Sequence, residues 1–245
     1  MTSLTISSSK RTVAALAVIV MGTLGLLYLG ALVPTLLPGL FSAQLVENAF
    51  VDERLKHQIV TLGLALLVMA AAYAAAPQTA RRFYRLGRLN APAAPVKWLD
   101  IKATDRWGKV GGTFAVIVSL ATGAFIYFNV AQGQSLGVGN GRYLPYILLL
   151  AAMNAFTEEA ITRLSLVTVL SGRVPRPTIY LASALLFGLP HYFGVPGGLL
   201  GSVMAGFLGW LLAKSVVETE GVFWAWFIHF WQDVIIFTGL FMQAF

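Results

Sequence analysis

Long apolar runs alternate with short polar connections along this chain, and most runs are long enough to cross a bilayer as helices, which takes about 20 residues. Seven runs read as crossings, at 12–36, 57–76, 110–131, 144–170, 178–193, 196–215 and 221–243. The stretch 37–50 is apolar enough for a re-entrant or interfacial segment. The pattern predicts an all-α, polytopic transmembrane helical bundle of about seven spans, with six to eight as the range. Lys10 and Arg11 precede the first run as they would in a signal peptide. That run is too long for one, and no clear small-residue cleavage site follows, so it reads as a retained anchor.

The polar connections set an orientation. With the N-terminus inside, Lys10, Arg11, the eight basic residues of 77–109 and Arg173, Arg176 and Lys214 are cytoplasmic. Only Arg54, Lys56 and Arg142 then lie outside, a 13-to-3 split of the kind the positive-inside rule favours. The linker 77–109, broken by Pro92 and Pro95, divides the chain. Residues 1–109 hold two N-terminal helices and the basic linker, and 110–245 form a helical core. No internal repeat of the transporter kind is visible.

Composition agrees with a membrane protein and removes several functions. The 245 residues are 58% hydrophobic and only 11% charged, against about 25% charged in soluble domains. The mean hydropathy is +0.76. No cysteine is present, which excludes disulfides, a thiol nucleophile and thiolate metal ligands. The net charge of +7 sits in short loops between spans, so it marks orientation rather than nucleic-acid binding.

Three polar constellations interrupt the apolar spans. The first is Glu158-Glu159-x-x-x-Arg163, three charges within six residues. Each costs about 2.5–3.5 kcal/mol at a helix centre, so ionisable groups there mark a functional site by default. Residues four apart share a helix face, which pairs Glu159 with Arg163 and turns Glu158 about 100° away, free to enter a cavity. A structural salt bridge beside a protonated glutamate is the bland alternative. The second is Phe187-Gly188-Leu189-Pro190-His191, where Pro190 breaks the helix at the position of His191. Broken backbone at membrane depth is tolerated only inside protein or along a wet cavity. The third is His229-x-x-x-Asp233, again one shared face. At a rise of 1.5 Å per residue all three reach roughly 12–20 Å from the cytoplasmic ends of their spans, so they can meet near mid-membrane. The remaining histidine, His57, lies among Glu53, Arg54 and Lys56 and reads as interfacial. Gly197, Gly201, Ala205 and Gly209 recur every four residues and predict close helix packing.

The order EExxxR, FxxxH, HxxxD on successive spans resembles the CPBP family of intramembrane glutamic endopeptidases, also called Abi. This family includes the Rce1-type CAAX prenyl proteases and bacteriocin-processing relatives. The resemblance covers about 143–240 and makes 110–245 a catalytic core. It implies Glu158 as general base, His191 holding the water, and His229 with Asp233 stabilising the oxyanion. His229 would donate, and Asp233 would orient it or donate if protonated. Arg163 would keep Glu159 ionised. The prenyl proteases carry Asn at the last motif position, so Asp233 leans toward the broader bacterial group. The implied setting is a prokaryotic cytoplasmic membrane with the N-terminus inside. The implied substrate is a membrane-associated peptide or protein, and no cofactor or metal is implied. HExxH, GxSxG and a pair of spanning aspartates are all missing. Glu158, His191 and His229 remain a conceivable metal ligand set. A non-catalytic scaffold or immunity protein of the same fold, and a proton-coupled transporter, are the other readings.

Overall fold

The computed structural model describes residues 2–131, 138–194 and 197–244. Among them there is no strand, and helices dominate: α1 (Thr2–Leu36), α2 (Pro38–Ser42), α3 (Ala49–Ala75), α4 (Pro77–Phe83), α5 (Trp107–Ile126), α6 (Leu144–Glu159), α7 (Leu166–Leu170), α8 (Arg176–Gly188), α9 (Gly198–Thr219) and α10 (Phe223–Ala244). α6 runs into α7 through a π-helical turn at Ala160–Ser165. The first residue of the run 196–215, Pro196, lies outside the described residues.

Six helical stretches are long and apolar enough to span a bilayer, one fewer than the seven apolar runs. The run at 178–193 is the difference. α8 has 13 residues, about 20 Å of helix, and stops at Gly188. Pro190 then opens one 3₁₀ turn, Pro190–Phe193, with His191 in it. Proline has no N–H to continue the ladder, so the helix ends short of a full crossing, in a turn none of whose residues is fully buried. The stretch 37–50 forms the short α2 and a loop that closes onto Asp52, whose carboxylate accepts from the Leu45 and Val46 N–H groups.

Contacts sort the basic residues onto two ends. Arg11 lines a surface hollow with Ala71, Ala74 and Ala75 at the end of α3. Arg82 and Arg176 line another, and Glu220 binds Arg82, Arg85 and Arg88. At the opposite end Arg54 and Arg142 stack on Phe50 and Tyr143, and both rings pack on Phe241. Two lysines counted as loop residues are buried instead. Lys56 pairs with Asp52 and Lys214 with Glu218, each one helical turn away. Setting them aside leaves twelve basic residues on one face and two on the other.

The linker is bonded in place. Arg88 N–H donates to Thr219 O, and Val222 and Phe223 N–H donate to Arg85 O and Leu86 O. α8 and α9 lie close because Gly188 and Gly209 present no side chain. A Cβ at Gly188 would come 2.7 Å from Ser202 O, and one at Gly209 would come 2.9 Å from Ser183 O. The every-four-residue row is therefore only partly a packing seam, since Gly201 and Ala205 line a cavity instead.

Candidate active site

The site begins on α6. Asn154 and Glu158 are one turn apart and share a face, and Glu159 is turned away from it. Glu159 is fully buried and forms an ion pair with Arg163, itself fully buried. The π turn directly follows, widened where the Ser165 hydroxyl donates to Ala160 O and that of Thr162 to Glu158 O. Such π-bulges occur frequently at functional sites.

Glu159 also reaches α10. Its Oε1 lies 2.7 Å from His229 Nδ1, so the buried glutamate orients the imidazole. His229 Nε2 then faces Glu158 at 3.6 Å and Asp233 at 3.7 Å, ion-pair range but longer than a hydrogen bond. Asp233 was expected to orient His229 or, if protonated, to donate beside it; its Oδ1 faces Nε2 at 3.7 Å, and the hydrogen-bond contact at Nδ1 is with Glu159.

Asp233 is held from elsewhere. Asn154 Nδ2 donates to Asp233 Oδ2 at 3.1 Å and to Glu158 Oε1 at 3.2 Å, bridging the two carboxylates. Gln58 of α3 fixes that amide by donating to Asn154 Oδ1 at 3.0 Å. Neither residue was singled out from the sequence. The usable signal was a lone amide four residues before Glu158 in an otherwise apolar run, and a second one in an early span.

Phe187 joins the third element. Its ring stacks under the Arg163 guanidinium, 3.8 Å from ring centre to Cζ. It touches the rings of His191 and His229 at centroid distances of 4.4 and 5.4 Å. A cation over an aromatic face is attracted by the ring quadrupole, which helps a guanidinium whose Nε and Nη2 have no hydrogen-bond partner. His191 Nδ1 lies 2.6 Å from Phe187 O. A carbonyl only accepts, so Nδ1 carries the proton and a neutral His191 ring keeps Nε2 as an acceptor.

Two cavities meet at this cluster, sharing Glu158, Phe187, His191 and Gly194. The larger, about 430 Å³, lies between α5, α9 and α10 and is mostly apolar, with Asn154, His229, Gln232 and Asp233 on its wall. The smaller, about 190 Å³, opens toward Thr23 and Leu26 of α1 and includes Thr162. The Glu158 side chain keeps 23% of its surface exposed, whereas Glu159 keeps none. Among the described residues no group of three or more His, Cys, Asp or Glu side chains is arranged to hold a metal ion. His57 stays outside the cluster, near the Arg54 end of α3.

Residues 140–235 match the family model described as type II CAAX prenyl endopeptidase Rce1-like. That segment is CAAX-protease-like, and it holds every polar constellation read from the spans. No curated protein and no solved structure matches the chain. The CAAX-protease-like segment contains Glu158, Glu159, Arg163, Phe187, His191, His229 and Asp233, and Asn154 with them. Gln58 and the α1 wall of the smaller cavity lie outside it. With six membrane-length apolar helices, the family makes this an integral membrane protein and, in general terms, a CAAX-type intramembrane protease.

Proposed function

We propose that the chain is a glutamate-dependent intramembrane endopeptidase, in which Glu158 is the general base for hydrolysis of a membrane-associated peptide or protein. The observation that carries this reading is the division between neighbours. Glu159 is buried and committed to Arg163 and His229, and Glu158 is the partly exposed carboxylate where the two cavities join.

The chemistry follows from the donors and acceptors present. A water between Glu158 and His191 Nε2 has an acceptor for each proton, so the carboxylate can take one as the oxygen attacks the scissile carbonyl. The mainly apolar cavity beside α5 and α9 would take substrate side chains, and the smaller one would supply water. With Nδ1 given to Glu159, His229 offers an Nε2–H only as the doubly protonated ring. Glu158 and Glu159 face that ring from α6. It would donate to the oxyanion, with a protonated Asp233 as second donor. Glu158 would then pass its proton to the leaving amine. No metal or other cofactor takes part.

The same reading puts the N-terminus and the twelve-residue basic face inside a prokaryotic cytoplasmic membrane. It takes 1–109 as an accessory unit on the 110–245 core. Reporter fusions at Arg88 and Asn140 should fall on opposite sides, and the same side for both would overturn that topology. The function itself is tested by incubating the purified protein with membrane peptides and following fragments by mass spectrometry. Wild type should cleave with or without a chelator, and Glu158→Gln should not. Activity restored only by a metal would contradict the mechanism.

A further inference from the structure

The basic end of the bundle has a small cavity that the peptidase chemistry leaves unused. It measures about 140 Å³, and its lining includes Arg82 and Phe83 of α4, Ser171 and Gly172 of the turn after α7, and Arg176 and Ile179 of α8. No acidic side chain lines it. Arg82 gives Nη2 to Glu220, which lies outside the cavity wall. Arg176 is exposed and pairs with no acid among the described residues. Arg173 does not compete for the space, because its Nη1 donates back to Val169 O at 2.6 Å. Gly172, at φ 76°, has an N–H without a backbone partner among the described residues. The Ser171 hydroxyl is likewise free there.

Two guanidinium groups, a hydroxyl and a free N–H around one hollow form a donor set without a matching acceptor. Guanidinium forks fit the paired oxygens of a phosphate. Phe83 and Ile179 supply an apolar wall beside them. The hollow lies where α4 and α7 end and α8 begins, on the face where twelve basic residues gather, which is headgroup depth for a spanning bundle. We propose that this cavity binds the phosphate of an anionic phospholipid headgroup. The unneutralised charge on Arg176 favours a headgroup with net negative charge over a zwitterionic one.

The test uses the purified full-length protein in neutral detergent. Native mass spectrometry counts retained lipid after equal additions of phosphatidylglycerol or phosphatidylcholine. Melting is recorded in the same detergent with and without millimolar inorganic phosphate. Wild type should retain one phosphatidylglycerol in clear preference to phosphatidylcholine. Arg176→Gln and Arg82→Gln should each weaken that retention about fivefold; without lipid Arg176→Gln should melt like wild type and Arg82→Gln slightly lower, through its lost pair with Glu220. Arg176→Lys should keep most of it. Lys102→Gln, on the same face but outside the cavity wall, should keep all of it. Equal retention of both lipids, or the same loss in Lys102→Gln, would overturn the site in favour of diffuse attraction. A melting shift with inorganic phosphate alone that disappears in Arg176→Gln would reassign the cavity to a soluble phosphate and overturn the lipid.

Discussion

Two buried ion pairs of the same spacing sit in different parts of this bundle and are finished very differently. At the base of α9, Glu218 is satisfied on all sides. It binds Lys214 on one oxygen, and Trp107 Nε1 at 2.8 Å and Ala94 N–H at 3.1 Å on the other. Lys214 in turn donates to Ala94 O at 2.8 Å. Where α6 meets the π turn, Glu159 and Arg163 leave Glu159 Oε2 and Arg163 Nε and Nη2 without hydrogen-bond partners. Their remaining contacts go to His229, Phe187 and the Thr162 hydroxyl. The first pair clamps a loop to a helix. The second, less complete in itself, holds the side chains of the candidate site.

Breaking a buried pair by removing one partner typically costs about 3–5 kcal/mol. Glu159→Gln and Glu218→Gln should therefore both lower the melting temperature in detergent by similar, large amounts. Only Glu159→Gln should also reduce cleavage per folded molecule, because it alone touches His229. Combining Glu159→Gln with Arg163→Met should recover part of the stability and none of the activity. If Glu218→Gln abolishes cleavage by folded protein, the two regions are not separable in this way.

The next effect is smaller. Asn154→Leu removes the bridge between Glu158 and Asp233, and Gln58→Leu removes what fixes that bridge. Each should cost about 1–3 kcal/mol in stability through the buried groups left unpaired. Both should reduce the rate of cleavage more than substrate binding, with Asn154→Leu the worse. Activity equal to wild type in Asn154→Leu would remove the amide from the positioning machinery.

The smallest effect lies at the surface. Burial acts to raise the Glu220 carboxyl, but Arg82, Arg88 and Arg85 together hold it below the ordinary glutamate value. A carboxyl lowered on folding contributes stability above its unfolded pKa of about 4.3, and that contribution is lost as pH falls. Glu220→Gln should leave cleavage unchanged and flatten the acid limb of a melting-temperature profile slightly. A flattened neutral limb instead would point to another group.

The sequence made some of this legible and not the rest, for local reasons. Helix periodicity pairs Glu159 with Arg163 and frees Glu158, and those relations are i to i+4 within one element. Pro190 marks the break in α8, although the length of apolar sequence around it suggested a full crossing. What the sequence could not supply were contacts between elements. Spacing placed Asp233 beside His229, whereas Glu159 approaches from another helix and takes Nδ1. Asn154 is inconspicuous inside an apolar run, because an uncharged amide signals little until its partners are known. Lys214 counted as a loop cation because the burial that Trp107 and Ala94 give it is a tertiary fact.

The two adjacent glutamates give the most direct test of the central claim. Thermal unfolding and peptide cleavage should be measured on one preparation each of wild type, Glu158→Gln and Glu159→Gln. Glu158→Gln should melt close to wild type and bind peptide without cutting it, with cleavage down by at least about 10²-fold. Glu159→Gln should melt well below both. Full cleavage by Glu158→Gln, or instability confined to Glu158→Gln, would contradict the assignment of Glu158 as base and Glu159 as its buried support.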